Sequence, residues 1–157
     1  MDDASIINPL LAALRSPDSA ARNWATQELW KYWFEQKGIY GLQLLQRAQT
    51  LIEAKEIEQA EALLTEVIEA QPDFAEAWNR RAVLYYIVGQ YQKSLIDCQT
   101  VVQLQPIHFG ALHGMGLCYI ALGNYQAAIQ ALRRALEIQP HAIENQRLIL
   151  ECTARLS

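Results

Sequence analysis

Apolar and small residues return along this chain in the same order at an interval of 34 positions. Within the central interval, Trp78, Ala82 and Tyr85 follow one another at steps of four and three, which places them on one face of a helix. The next helix carries an inward-facing stripe through Ser94 and Val101. A single pair of helices cannot bury both of its apolar faces. The pattern therefore predicts helix pairs that stack into a solenoid rather than fold around a closed core.

Proline and glycine mark where the predicted helices end. Pro72, Pro106 and Pro140 are equally spaced, and each should end a second helix because the residue before proline avoids the helical region. A glycine follows the first helix in two intervals, where it takes the left-handed conformation at least cost, and Lys55 stands at that place in the other. The predicted helices are 41–54 and 58–71, 75–88 and 92–105, and 109–122 and 126–139.

The first 40 residues do not share this spacing. Residues 1–5 are expected to fray, and a short apolar helix over 6–14 is interrupted by Pro9. Ser16 precedes a proline and an acid, which predicts a helix start with serine as its cap. That helix carries many aromatic residues and should end by Gly38. We interpret residues 1–40 as a non-repeat helical cap that covers the first repeat, whose apolar face would otherwise be exposed.

The three intervals resemble the tetratricopeptide repeat family over residues 41–141, in repeats of about 41–74, 75–108 and 109–142. The third interval is the nearest match, through Leu112, Gly116, Tyr119, Gly123, Tyr125, Ala128, Leu132, Ala135 and Pro140. The run from Trp78 to Gly116, across the second and third intervals, also looks like a subgroup of small bacterial proteins of this family. The resemblance implies an all-α, right-handed superhelix of three helix pairs, with residues 142–157 as a C-terminal capping helix.

The resemblance also implies a binding surface, because the first helices of such repeats line a concave groove that grips a peptide segment of another protein. The groove residues of this chain would be Asn79, Arg80, Val83, Tyr86, Ile87, His113, Leu117 and Ile120. Several are more apolar than exposure to solvent requires. Either the N-terminal cap covers them or they form a binding surface for an apolar or mixed peptide. The resulting hypothesis is a non-enzymatic interaction module or assembly adaptor.

Some members of the family clamp the C-terminal carboxylate of chaperone tails with Lys, Asn and Arg at set groove positions. Those positions hold Leu45, Gln49, Arg80, Gly110 and Gly114 in this chain. One cation of the clamp remains, so docking of a chaperone tail is not expected.

The charge balance removes other classes of partner. The net charge is −4 and the pI about 5.4, and there is no run of Lys or Arg, so binding to nucleic acid is not expected. The apolar run near the start is short and contains Pro9, which fits neither a signal peptide nor a membrane span. We therefore expect a cytoplasmic protein.

No catalytic, metal or cofactor site is predicted. Cys98, Cys118 and Cys152 are far apart and are interpreted as small buried hydrophobic residues. His108, His113 and Cys118 are spaced five apart, which does not place metal ligands on one helix face.

The glycines of the third repeat have two interpretations. Gly110, Gly114 and Gly116 precede no predicted strand, so a phosphate-binding loop is not expected. They should instead allow close approach, either of a neighbouring helix or of a ligand backbone.

Two further expectations concern charge and association. Arg81 stands where the repeat normally has an apolar residue, and Asp97 is the nearest carboxylate to pair with it. The alternative function is a self-associating structural module that dimerises through the aromatic N-terminal helix.

Overall fold

The computed structural model describes residues 3–157, and this part of the chain is entirely α-helical and loop. Its helices are α1 (Asp3–Leu14), α2 (Ser19–Phe34), α3 (Gly38–Glu53), α4 (Ile57–Ala70), α5 (Ala75–Ile87), α6 (Tyr91–Leu104), α7 (Phe109–Ala121), α8 (Tyr125–Ile138) and α9 (Ile143–Leu156). The pairs α3–α4, α5–α6 and α7–α8 are the three predicted repeats, and their bounds agree with the prediction to within a residue or two, except that α3 begins three residues earlier. The all-α superhelix predicted from the sequence is confirmed.

The repeats stack through the residues that recur in the sequence. Ala82, Val101 and Leu112 are buried in one cluster that joins repeats two and three. Trp78 is half-buried, packs against the clusters on both sides, and donates its indole N–H to the carbonyl of Pro72 at 2.8 Å. Small residues at the crossing points let the helices approach closely, which explains the alternation of large and small residues along each first helix.

The turn inside each repeat has the same backbone conformation. Gly89 and Gly123 have φ of 80° and 79°, and Lys55 adopts a φ of 61° at the equivalent place. In the first repeat the N–H of Glu56 donates to the carbonyl of Leu51 at 2.8 Å, and the same bond recurs in repeats two and three. This is the Schellman ending of a helix, which needs a left-handed residue. Lys55 therefore adopts a conformation that suits glycine better.

The N-terminal segment forms a hairpin of α1 and α2. Helix α1 begins at Asp3 and contains Pro9, so the fraying expected over residues 1–5 does not extend to the described residues; Met1 and Asp2 lie outside them. The cap of α2 is Asp18, whose carboxylate accepts from the N–H of Ala20 at 3.1 Å. Ser16 was predicted for that role, and its hydroxyl instead accepts from the N–H of Asp18.

This hairpin lies beside the turn that follows the second helix of each repeat. Lys37, just after α2, pairs with Asp73 at 2.8 Å in the first turn. Trp33 packs against the second turn, and Thr26 accepts from Gln139 at 3.3 Å in the third. Helix α2 therefore contacts all three repeats, whereas we expected it to cover the first.

The position of α2 also bears on the alternative of a dimer through its aromatic residues. Trp33 is fully buried within its own chain, and Trp30 and Phe34 are partly buried there. Trp24 is an exposed aromatic residue of the same helix. Most of the aromatic surface that such a dimer would use is already covered.

The last helix, α9, packs on α8 and closes the stack. Leu148 and Cys152 of this helix are buried against the stack, whereas Leu156 at its end is exposed. None of the described helices is long and apolar enough to cross a membrane.

Candidate peptide-binding groove

The first helices of successive repeats lie on the inside of the superhelix. Helix α3 contacts α5, and α5 contacts α7, whereas the second helices of the described repeats do not come as close to one another. The groove residues predicted from the sequence all lie on α5 and α7, two adjacent inner helices. Helix geometry therefore brings them to one surface.

The carboxyl-terminal half of α5 provides the most exposed apolar part of this surface. Val83 is 36% exposed and Ile87 is 59% exposed. Tyr86 is half-buried, and its ring meets that of Tyr91 edge-on with centroids 5.3 Å apart. Burial raises the pKa of Tyr86 above its usual value. Like any tyrosine, it is neutral at physiological pH, and its ring offers an apolar face. These residues form what we call the open strip, together with Leu117 and Ile120.

The residues of the open strip on α7 are half-buried beside α5 and α9. Leu117 and Ile120 are partly accessible, and Ile120 packs against the cluster that contains Cys152. His113 was predicted as a polar contact, but its Nδ1–H donates to Oδ1 of Asn145 on α9 at 2.6 Å. That bond fixes the imidazole, so His113 forms the edge of the groove and has one ring nitrogen left for a ligand.

A buried carboxylate organises the amino-terminal half of the groove. Glu76 is fully buried on α5, and its Oε1 accepts from Nε2 of His108 at 2.8 Å. The same carboxylate accepts from Asn79 at 3.1 Å and from Nε of Arg80 at 3.3 Å. Because Nδ1 of His108 accepts from the N–H of Ala111 at 3.0 Å, the proton lies on Nε2 and the imidazole is the neutral tautomer. These side chains therefore pair with one another, and Glu76 is the anion and Arg80 the cation of the network.

This network changes the roles predicted for two groove residues. Asn79 was predicted as a groove residue, but it is only 4% exposed and its amide donates to Glu76, so it lies beneath the groove surface. Arg80 reaches Gln49 of α3 as well as Glu76, and its guanidinium lies over the ring of Phe34 at 5.2 Å. Asn79 therefore lies beneath the groove surface, and Arg80 lies at its edge against α2.

Helix α2 covers this half of the groove with aromatic side chains. The ring of Trp33 is stacked on His108 with centroids 4.1 Å apart, and Trp30 meets Phe109 edge-on at 5.5 Å. A Cβ on Gly110 would lie 2.5 Å from the Trp30 ring, so only glycine fits there. The sequence left open whether the N-terminal cap covers the groove or the groove is a free binding surface. The N-terminal segment covers the amino-terminal half of the groove and leaves the open strip uncovered.

The other glycines and the cysteines of α7 serve packing. A Cβ on Gly116 would lie 2.6 Å from Leu132, and one on Gly114 would lie 3.0 Å from the sulfur of Cys98. The close approach expected of these glycines is therefore to neighbouring side chains. The hydrogen bond with Cys118, together with burial, raises the pKa of Cys98, which keeps that thiol neutral. Within residues 3–157, no group of three or more His, Cys, Asp or Glu is placed to hold a metal ion.

The salt bridge predicted between Arg81 and Asp97 is confirmed. The guanidinium donates to both carboxylate oxygens at 2.8 and 2.9 Å, and a third N–H reaches the hydroxyl of Thr65 in the preceding repeat. Pairing with Asp97 raises the pKa of Arg81. Arg81 therefore belongs to the stacking interface and not to the groove.

The pairing of His108 with Glu76 was not predicted from the sequence. His108 was assigned to a turn, and it is fully buried there. A signal was available, because Phe74 occupies the same place one interval earlier and is also fully buried. A polar residue at a buried position needs a partner.

The geometry defines an all-α repeat protein with a groove that is half filled by its own N-terminal helix. Models of the tetratricopeptide repeat match residues 44–74 and 73–141. The chain belongs to the tetratricopeptide repeat family.

Relatives of known sequence agree with this assignment. The chain is 38% identical to a TPR repeat-containing protein of Rhizobium etli, over 80% of this chain and 61% of that protein. It is 31% identical to human Superkiller complex protein 3 over 59% of this chain, which is 6% of the much longer human protein. The chain thus spans less than two thirds of the length of either relative.

Solved structures share the fold. The first TPR domain of Spaghetti (RPAP3), bound to an HSP90 peptide, matches 73% of this chain and 91% of that domain with a TM-score of 0.70 and 21% identity. A TPR domain of yeast Sti1, in complex with an Hsp70 peptide, matches 72% of this chain and 98% of that domain with a TM-score of 0.64 and 18% identity. At these identities the likeness is one of fold.

Proposed function

We propose that this protein is a non-enzymatic interaction module that binds an apolar or mixed peptide, or a helix, of a partner protein in the inner groove. The observation that carries the proposal is the open strip. Val83 and Ile87 are exposed there beside the half-buried Tyr86, Leu117 and Ile120, on two helices that pack in the stack. A contiguous apolar surface with a tyrosine is the composition typical of binding hot spots.

The covered half of the groove supports the same mode of binding. Helix α2 packs its aromatic side chains onto the first turns of α5 and α7, so this groove accommodates a helix. A partner helix beyond α2 would use the same chemistry, with apolar side chains placed against Val83, Ile87 and Leu117. Binding would then extend an apolar contact that the chain already makes with itself.

An acidic chaperone tail is a weaker candidate, although the solved neighbours include domains bound to HSP90 and Hsp70 peptides. A carboxylate clamp needs several free donors, and Arg80 is already held by Glu76 and Gln49. The other positions of the clamp are Leu45, Gln49, Gly110 and Gly114. We therefore favour an apolar or mixed segment.

The proposed protein is a bacterial adaptor of the cytoplasm, and the similarity to the Rhizobium etli protein supports the bacterial source. A net charge of −4 does not attract a phosphate backbone, and Cys98 is a buried neutral thiol rather than a nucleophile. Glu76 is the carboxylate at the centre of the groove, and it is occupied by donors of its own chain. These points support the proposal that the groove binds and does not catalyse.

The test compares two variants of the same chemistry on opposite faces. Val83→Ser combined with Ile87→Ser removes the exposed part of the open strip, and Ile96→Ser removes an exposed isoleucine from α6 on the outer face. A protein captured from the source cell by the wild type and by Ile96→Ser should be lost with the groove variant. Titration of that protein should show a loss of about 1–3 kcal/mol, with little change in Tm because the replaced side chains are exposed.

The outcome that contradicts the proposal is equal capture and equal affinity for all three proteins. A second titration uses the HSP90 peptide SRMEEVD that the Spaghetti (RPAP3) domain binds. Saturable binding that Arg80→Ala abolishes would replace the apolar peptide with a chaperone tail as the ligand.

A further inference from the structure

A pocket of about 270 Å³ lies on the groove beside the open strip, between α2, α7 and α9. Trp30 and Phe109 line it with aromatic rings, and Gly110 lines it without a side chain. His113 also lines it and stands one turn of α7 before Leu117 of the open strip. The pocket therefore adjoins the surface to which the proposed function assigns a partner peptide.

The repeat register explains why there is a pocket at this place. One interval earlier, the equivalent positions hold Glu76 and His108, whose side chains are fully buried and meet at 2.8 Å. Their equivalents 34 residues later are Gly110 and Ala142, and both line the pocket. Two large polar side chains are thus replaced by a hydrogen and a methyl group, which leaves the space between the helices open.

Repeat two shows which side chain the protein itself places at such a site. The guanidinium of Arg80 lies over the ring of Phe34 of α2 at 5.2 Å and donates to the carboxylate of Glu76. One interval later Gly114 takes the place of Arg80, and α2 presents the ring of Trp30, one turn before Phe34. An aromatic ring of α2 is therefore present at both places, whereas repeat three has no side chain where repeat two supplies a cation.

Two polar side chains of the pocket can accept hydrogen bonds from a ligand. Glu144 supplies a carboxylate, and Nε2 of His113 carries the lone pair because Nδ1–H donates to Asn145. Arg147 pairs with Glu144 at 2.7 Å, but Glu151 shares that guanidinium, so the three side chains keep one negative charge in excess. Arg147 does not line the pocket, and no Lys or Arg is among the described residues that do. A cationic donor complements this lining.

We propose that this pocket binds an arginine side chain of the partner peptide, with the guanidinium on the ring of Trp30 and its N–H groups directed to Glu144 and His113. A planar guanidinium stacks on aromatic rings and offers several donors, which is the chemistry that Arg80 shows in repeat two. An apolar side chain would exclude water from both acceptors and supply no donor in return. The inference rests on the proposed function, because the arginine belongs to the peptide that binds along the open strip.

The experiment titrates the full chain with small probes, the Nα-acetyl amides of arginine, citrulline and norleucine. Citrulline keeps the planar end of the arginine side chain without its charge, and norleucine keeps an apolar stem. NMR follows the indole N–H of Trp30 and the amide N–H of Gly110, with the indole of the exposed Trp24 as an internal control. The arginine probe should shift the first two signals saturably and bind at least about fivefold more tightly than the other probes.

Two charge variants of α9 assign the site. Glu144→Gln removes the carboxylate that lines the pocket, and Glu151→Gln removes the other partner of Arg147. Both glutamates are exposed, and the two variants change the net charge equally. Glu144→Gln should reduce the preference for arginine over citrulline to less than about twofold, whereas Glu151→Gln should keep it.

Four results overturn the inference. They are no saturable shift at Trp30 and Gly110, equal binding of arginine and citrulline, tighter binding of norleucine, and an arginine preference that survives Glu144→Gln. Capture that is lost with the open-strip variant while the arginine probe does not bind would leave the proposed function standing and refute the arginine site alone. Equal capture by the wild type and that variant, with the arginine probe still bound, would contradict the proposed function instead.

Discussion

The indole of Trp33 lies flat against the imidazole of His108, with ring centroids 4.1 Å apart and planes inclined by 22°. Both side chains are fully buried. His108 in turn donates to Glu76, so the contact joins the N-terminal hairpin to the inner helices of repeats two and three. The geometry of the groove therefore depends on residues that are remote in sequence.

Replacing Trp33 tests the docking of the hairpin. Trp33→Ala should lower the free energy of unfolding by about 3–5 kcal/mol, because a large buried side chain leaves a cavity and loses its stacking partner. Trp24→Ala, on the exposed side of the same helix, should change it by less than about 1 kcal/mol. Urea unfolding followed by circular dichroism measures both. Equal losses from the two variants would mean that α2 does not dock through Trp33.

The buried carboxylate gives a second prediction. Glu76→Ala removes the acceptor for His108, Asn79 and Arg80, and should cost about 3–5 kcal/mol of stability because two buried donors and a partly buried cation lose this partner. Glu144→Ala, at an exposed first-turn position of α9, should cost less than about 1 kcal/mol. Chemical denaturation of the two variants is the measurement. Similar small losses would show that Glu76 is not the centre of the network.

The left-handed lysine gives a prediction of opposite sign. Lys55→Gly should raise the stability by about 1 kcal/mol, since the φ of 61° is strained for a residue with a Cβ. Gly89→Ala imposes the same strain on repeat two and should lower the stability by a similar amount. Thermal melts should therefore move in opposite directions. A lower Tm for Lys55→Gly would contradict the assignment of strain.

The pair of Arg81 and Asp97 can be tested with residues that the chain itself supplies. Repeat three has Met115 and Ala131 at the same two places. Arg81→Met alone leaves Asp97 buried and unpaired and should cost about 3 kcal/mol or more. Adding Asp97→Ala should recover most of that loss, because no charge is then left without a partner. A double-mutant cycle measures the coupling, and a double variant no better than Arg81→Met would refute it.

Much of the fold could be predicted because residues of the same type recur in three repeats and make equivalent packing contacts in each. Equal spacing of Pro72, Pro106 and Pro140 fixed the register, and the register identified Arg81 as a charge among apolar residues that needed a partner. Asp97 could be chosen because it lies on the next helix of the same hairpin. Local periodicity is sufficient for contacts of this kind.

The placement of α2 could not be predicted in the same way. Its aromatic residues indicate that the helix covers an apolar surface, but periodicity does not say which surface. Contacts such as Trp33 with His108, or Thr26 with Gln139, join segments with no shared pattern. For this reason Asn79 and Arg80 were expected to be free for a ligand, although both donate to Glu76 and Arg80 also packs against Phe34 of α2.

Small rotations between neighbouring hairpins of a stack change the pitch of the superhelix and the width of its inner groove. Helix α2 and the turn after it lie beside the two inter-repeat turns and the turn between repeat three and α9. Lys37, Trp33 and Thr26 contact these three turns. Rotation at one interface would then have to be matched at the others. We expect the docked hairpin to limit such rotation. A partner bound at the open strip, as proposed above, would then find the groove already at its final width and lose little conformational entropy on binding.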